Sequence, residues 1–253
     1  MKRYIPNALT LLNLLCGSIA VIYAVNDNFV TAAFFVFFGI FFDFFDGFAA
    51  RKLNVQSDIG LQLDSLADVV TSGLVPGIIM YKLLQLVGPL WQETVDGIGY
   101  NRTIGFEFEY PEFYYVLPLF GLSITLASAY RLAKFNVDTE QQNYFKGLPT
   151  PANALLIVSL PLILEFQNND IINAIILNKW FLIGMTILSC WLLNSGIKLF
   201  ALKFKNWGFK ANATRYIFIM LCVVLLIVLQ FAAIPLIILV YIIMSVLDSI
   251  TST

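Results

Sequence analysis

Residues 41–77 read FFDFFDGFAARKLNVQSDIGLQLDSLADVVTSGLVPG. Asp43 and Asp46 stand among phenylalanines near the end of one apolar run, and Asp64 and Asp68 open the next. An ionised carboxylate at membrane depth costs about 2.5–3.5 kcal/mol on insertion scales, so four left unpaired would cost on the order of 10 kcal/mol. Arg51 and Lys52 are the local cations, too few to neutralise four acids. Helical spacing puts Asp43, Gly47, Ala50 and Arg51 at i, i+4, i+7 and i+8 on one stripe, with Asp46 alongside. Gly60, Asp64 and Asp68 repeat at i, i+4 and i+8 on the following helix. The short connection makes these helices antiparallel neighbours, so both stripes meet at one membrane rim. Four carboxylates gathered there form an all-oxygen nest whose charge matches two hard divalent cations, Mg²⁺ or Mn²⁺. A buried structural network or an ion path are the other readings of the same acids. Gly47 and Ala50 either leave a slot for an extended ligand or let two helices pack closely.

The rest of the chain sets this stretch in lipid. Of 253 residues, 59 % are hydrophobic and only 12 % charged, against roughly 25 % charged in soluble proteins. The mean hydropathy is +0.82. This composition predicts an all-α, polytopic transmembrane helix bundle, one integral-membrane domain over 1–253. Eight apolar runs are candidate spans: 8–25, 29–50, 61–87, 112–134, 152–167, 179–195, 214–231 and 233–248. The first follows Lys2 and Arg3 but has no A-x-A cleavage pattern, and is read as a retained span. With both termini in the cytoplasm, twelve of the fifteen Lys and Arg fall in or beside inside loops. The connection 88–111 carries Glu93, Asp96, Glu107 and Glu109 and is read as outside.

The absence of histidine removes imidazole acid–base chemistry, His-ligated zinc and Ser-His triads. Cys16, Cys190 and Cys222 lie in apolar runs without CxxC spacing and read as small fillers. A net charge of −1 provides no basic field for nucleic acid.

The spacing Asp43-x2-Asp46-Gly47-x2-Ala50-Arg51-x8-Gly60-x3-Asp64-x3-Asp68 resembles the full signature of the CDP-alcohol phosphatidyltransferases, with every fixed position occupied. The resemblance implies transfer of a phosphatidyl or related group from a CDP-alcohol to a second alcohol, with release of CMP. It implies that Asp43, Asp46, Asp64 and Asp68 bind two divalent ions and that Asp68 is the general base. Gly47 and Ala50 would make room for the cytidine nucleotide, Gly60 would border it, and Arg51 would hold the site or its phosphates. The opening IPNALTLLN of residues 5–13 resembles the first-helix start of these enzymes, which brings Asn7 and Thr10 to the CDP-diacylglycerol site.

Two further stretches, YRLAKFNV (130–137) and FKGLPTPA (145–152), resemble the bacterial and archaeal integral-membrane phosphatidylserine synthases within the family. They imply CDP-diacylglycerol and L-serine as substrates and a multi-pass enzyme of the cytoplasmic (inner) membrane, its active site facing the cytoplasm. The acceptor alternatives are glycerol 3-phosphate and inositol phosphate, and a divalent-cation transporter is the rival outside the family. Arg131, Lys134 and Lys146 either meet a phosphate or the serine carboxylate or only mark the inside face. Similarity runs to about residue 165, a catalytic core over 1–165, with 179–248 as additional transmembrane helices. A homodimer is also implied.

Overall fold

Two long apolar helices, α1 (Tyr4–Val25) and α2 (Phe29–Lys52), open the chain. They are joined by a tight turn in which Asp27 takes a φ of 60°. In the computed structural model, which describes residues 4–87, 116–137, 144–167, 169–200 and 209–251, the pair packs through small residues. Ala20, Ala24, Ala32 and Ala33 are all buried, as close backbone approach in a membrane helix pair requires. The Asn28 side chain caps α2 by accepting from the Thr31 N–H. Arg51 and Lys52 occupy its last turn, where cations suit the helix dipole.

The Ser57 hydroxyl caps α3 (Asp58–Asp68) by accepting from the Gly60 N–H at 3.2 Å. A π-helical turn, Val69–Leu74, follows at once and leads into α4 (Val75–Leu86). Such a turn re-aims the side chains on either side of it and is frequent at functional sites. Here it presses Thr71 against α1 and α2. The Thr71 hydroxyl donates to the Asn13 carbonyl oxygen at 3.1 Å, and a Cβ on Gly39 would stand 2.6 Å from Thr71 Cγ2. Val36, Val75, Ile79, Met80, Leu83 and Leu84 centre the apolar core.

A 3₁₀ turn (Leu117–Leu122) precedes α5 (Ser123–Val137). Strand β1 (Tyr144–Lys146), α6 (Thr150–Phe166), α7 (Asp170–Ile176) and α8 (Lys179–Asn194) follow, then β2 (Lys198–Phe200), α9 (Phe209–Leu229) and α10 (Ala233–Thr251). The Phe218 and Tyr241 rings lie 5.5 Å apart, although a straight helix would separate them by about 34 Å. The chain therefore doubles back between α9 and α10, at a 3₁₀ turn where Gln230 takes a φ of 47°. Gln167, just beyond α6, clamps this reversal. Its amide donates to the Leu229 carbonyl at 2.7 Å and accepts from the Ala232 N–H at 2.9 Å.

The chain thus forms the helical, membrane-embedded bundle expected from its composition. Tyr4–Val25, Phe29–Lys52, Asp58–Leu86 and Arg215–Leu247 are long and apolar enough to cross a membrane, the last being the doubled-back segment. The pair α7 and α8, bent by 62°, makes one further candidate. The run expected at 152–167 is the 17-residue α6, and that at 112–134 begins outside the described residues, as does the whole connection 88–111. One feature qualifies the all-α expectation: β1 and β2 pair antiparallel, Lys146 opposite Lys198. Three residues per strand are too few for a period-2 pattern to register.

Candidate active site

Asp43 and Asp46 sit in the last turns of α2, and Asp64 lies midway along α3. One oxygen from each falls within 4.8 Å of the other two. The Asp43 and Asp64 carboxyl groups are within hydrogen-bonding reach of each other, a separation at which two anions repel unless a cation stands between them. Asp64 Oδ1 is buried without a hydrogen-bond partner among the described residues. An all-oxygen donor set with such an unfilled acceptor fits a hard divalent ion.

Asp68 lies one helical turn beyond Asp64 and is 8 % exposed. It accepts a hydrogen bond from Asn13 Nδ2 at 3.3 Å. Asp46, 5 % exposed, accepts from the Thr10 hydroxyl at 2.5 Å. Both donors belong to α1, so the expected two-helix site is a three-helix site. Asn13 carried no assigned role in the sequence. Its signal was a polar side chain three residues from Thr10 inside an apolar helix, where burial demands a partner.

Beside the acids opens a cavity of about 470 Å³, within the range of small-ligand pockets. All six residues expected at the CDP-diacylglycerol site line it: Asn7, Thr10, Gly47, Ala50, Arg51 and Gly60, together with Asp46 and Asp64. A Cβ on Gly47 would meet nothing nearer than the Arg51 guanidinium, at 3.9 Å. Its smallness therefore leaves the cavity open and serves no helix contact. Gly60 differs, since a Cβ there would lie 3.2 Å from Ser57 Oγ and 3.4 Å from Asn7 Oδ1.

Arg131, Lys134 and Lys146 also come together, around a second, smaller cavity completed by Phe135, Leu193, Asn194 and Ser195. Arg131 is 8 % exposed, and its Nε has no partner among the described residues. It interacts electrostatically with Asp68. Lys134 is exposed. Lys146 is tied to the end of α8 through the β1–β2 ribbon and through bonds from Gly147 N to Ile197 O and Leu148 N to Leu192 O, both 2.9 Å. Gly147 takes a φ of 77°, and a Cβ there would stand 2.6 Å from the Leu193 carbonyl oxygen. Only glycine fits so close an approach at that angle. Asn194 and Ser195 were not foreseen as site residues.

A bilayer-embedded helical protein with an acid nest opening on a nucleotide-sized cavity has the build of a membrane transferase acting on a phosphorylated lipid. Consistent with that class, the family model for CDP-alcohol phosphatidyltransferase matches residues 3–191, and the chain belongs to this family. It is 34 % identical over 177 residues to the CDP-diacylglycerol–serine O-phosphatidyltransferase of Bacillus subtilis (strain 168), covering 68 % of this chain and 81 % of that protein. It is 27 % identical to the protein of the same name from Methanocaldococcus jannaschii, over 73 % of this chain and 71 % of the relative. It is 30 % identical to the archaetidylserine synthase of Methanothermobacter thermautotrophicus, over 61 % of this chain and 56 % of the relative.

Proposed function

We propose that this protein transfers the phosphatidyl group of CDP-diacylglycerol to L-serine, forming phosphatidylserine and CMP. The observation that carries the reading is the acid nest of Asp43, Asp46 and Asp64 opening on a cavity lined by all six expected nucleotide-site residues. The printed names of the relatives supply the acceptor.

Asp43, Asp46, Asp64 and Asp68 would hold two Mg²⁺ or Mn²⁺ ions, which when bound offset the diphosphate charge and the charge developing on the leaving group. Arg51 reaches the same phosphates from the cavity wall. Gly47 and Ala50 leave room for the cytidine, and Asn7, Thr10 and Gly60 border it. Asp68, oriented by Asn13, takes the proton of the serine hydroxyl as its oxygen attacks the phosphorus bearing diacylglycerol. In the same displacement the phosphoanhydride bond to CMP breaks, and CMP leaves with the electron pair. Arg131, Lys134 and Lys146 receive the serine carboxylate, Arg131 through its planar fork.

The enzyme works as a single integral-membrane domain, a homodimer of the cytoplasmic (inner) membrane with about eight spans per chain. Both termini and the active site face the cytoplasm, a reading supported by the distribution of Lys and Arg. Residues 1–165 serve as the catalytic core, and 179–248 add transmembrane helices.

The test is CMP release by purified protein in micelles containing labelled CDP-diacylglycerol. Release should require serine, stop with EDTA and return with Mg²⁺ or Mn²⁺. Faster turnover with glycerol 3-phosphate or inositol phosphate than with serine would overturn the acceptor assignment.

A further inference from the structure

We propose that Asn136, acting through Ser65, is a positioning residue that holds α5, and with it Arg131, against the acids of α3; this assignment rests on the serine-transfer reading above. Asp68, the proton acceptor of that reading, is not among the residues lining either cavity. Two helices other than its own reach it. Asn13 of α1 donates to it at 3.3 Å, and Arg131 of α5 attracts it electrostatically. The first brace is a direct bond from a short side chain. The second is carried on a long, flexible stem, so it depends on where α5 lies.

Contacts in two places fix α5, and their order makes it antiparallel to α3. At the π turn the Thr125 hydroxyl donates to the Gly73 carbonyl at 3.1 Å, and a Cβ on Gly73 would stand 3.0 Å from Ser128 Cβ. Ser65 lies eight residues before Gly73, and Asn136 eight residues after Ser128. These two meet as well. Asn136 Nδ2 donates to Ser65 Oγ at 2.9 Å, and Asn136 Oδ1 lies 3.2 Å from the same hydroxyl, as its acceptor. At 100° per residue Thr125, Ser128 and Asn136 fall within about 80° of one another, one face of α5, with Arg131 on its flank. Asp68 and Arg131 both lie within the stretch between the two ties, about 12 Å of helix.

The ties differ in kind. At the π turn a glycine backbone meets α5 in close-packed contact, which no single side chain controls. At the other end α5 has one residue left before it stops at Val137, and two half-buried side chains satisfy each other. Ser65 follows Asp64 directly in sequence, so this bond joins α5 to the helix turn that carries the acids. Without it the end of α5 is free to swing about the packed π turn. Arg131, between the two ties, then draws away from Asp68, while Asp43, Asp46 and Asp64 keep their places on α2 and α3.

The experiment is a double-mutant cycle on serine-dependent CMP release, with kcat counted per intact site from the stoichiometry of Mn²⁺ binding in calorimetry. Ser65→Ala and Asn136→Ala should each lower kcat about 3- to 10-fold, the range of one neutral hydrogen bond. The double variant should fall no further than either single one, because both remove the same tie. The KM for CDP-diacylglycerol and the Mn²⁺ affinity should stay within about twofold, since neither residue belongs to the acid cavity's wall or to the triad. Ser65→Thr keeps the hydroxyl and should hold kcat within about twofold of wild type. Unchanged kcat in both alanine variants overturns the assignment, as does a Ser65→Thr enzyme no better than Ser65→Ala. So do effects that multiply in the double variant. Loss of folding, or an equal loss of Mn²⁺ affinity and CDP-diacylglycerol KM, also overturns it and makes the pair a general fold contact. If wild-type enzyme releases no CMP in response to serine, the proposed function fails instead, and that control tells the two failures apart.

Discussion

The acid cavity takes its wall from residues between Pro6 and Asp64 on the first three helices, whereas the basic cavity needs residues from Arg131 to Ser195 on α5, β1 and the end of α8. The first is cross-braced: Thr10 holds Asp46 and Asn13 holds Asp68. Both keep buried polar atoms without a partner among the described residues, Asn13 Oδ1 and Asp64 Oδ1 at the first, Arg131 Nε and Asn194 Oδ1 at the second. The two differ in charge, Asp46, Asp58 and Asp64 lining the first and Arg131, Lys134 and Lys146 the second. On the proposed function, carboxylates that gather around ions need a rigid frame that overcomes their mutual repulsion.

The comparison breaks most severely at the acid triad. Asp64→Asn should lower turnover about 1,000-fold, the scale of several kcal/mol of electrostatic stabilisation supplied by bound ions. Mn²⁺ binding by calorimetry should weaken with it. If Mn²⁺ affinity is unchanged, the triad is not the ion site.

Asp68→Asn should cut kcat by roughly 100- to 10,000-fold, the range of a general base. Its Mn²⁺ affinity should fall less than that of Asp64→Asn, since Asp68 lies outside the triad whose oxygens converge. Near wild-type kcat would remove the proton-accepting role.

Two glycines sharpen the contrast between open space and packed space. Gly47→Val narrows the cavity beside the acids and, on the proposed function, should raise the KM for CDP-diacylglycerol about tenfold, with no loss of thermal stability. Gly39→Ala, whose methyl would stand 2.6 Å from Thr71 Cγ2 and 2.9 Å from Asn13 Oδ1, should cost about 1–3 kcal/mol of stability. A melting curve for each, read beside its KM, distinguishes the cases. An equally destabilised Gly47→Val would mean that Gly47 packs helices after all.

The smallest effect is expected far from both cavities. Gln167→Ala removes the two bonds that clamp the α9–α10 reversal and should cost about 1–2 kcal/mol in thermal unfolding, with kcat/KM for both substrates unchanged. A change in serine KM would tie the C-terminal hairpin to the acceptor site.

Most of the acid cavity was legible before any coordinates. Asp43, Gly47, Ala50 and Arg51 share a face because 3.6 residues make a turn, and that face remains whatever the helix packs against. Arg131, Lys134 and Lys146 were legible as a set, but the wall that faces them was not. Asn194 and Ser195 end an apolar helix with no pattern of their own, and Lys146 is held near them by a three-residue ribbon. The choice between ligand slot and helix contact at Gly47 also waited for coordinates, because both readings ask for the same small residue.

The bilayer solvent, the helical class and the spacing of four acids follow from hydropathy and helix periodicity, which act over one or two turns of chain and so are written in the order of residues. Only the tertiary structure decided that α1 braces the acids through Thr10 and Asn13, that a π turn drives Thr71 between two helices, and that the end of α8 closes the basic cavity. Each of these joins residues more than thirty positions apart. Contacts at such separations arise when three or more elements compete for one packed volume, and no periodicity within a single helix records the outcome.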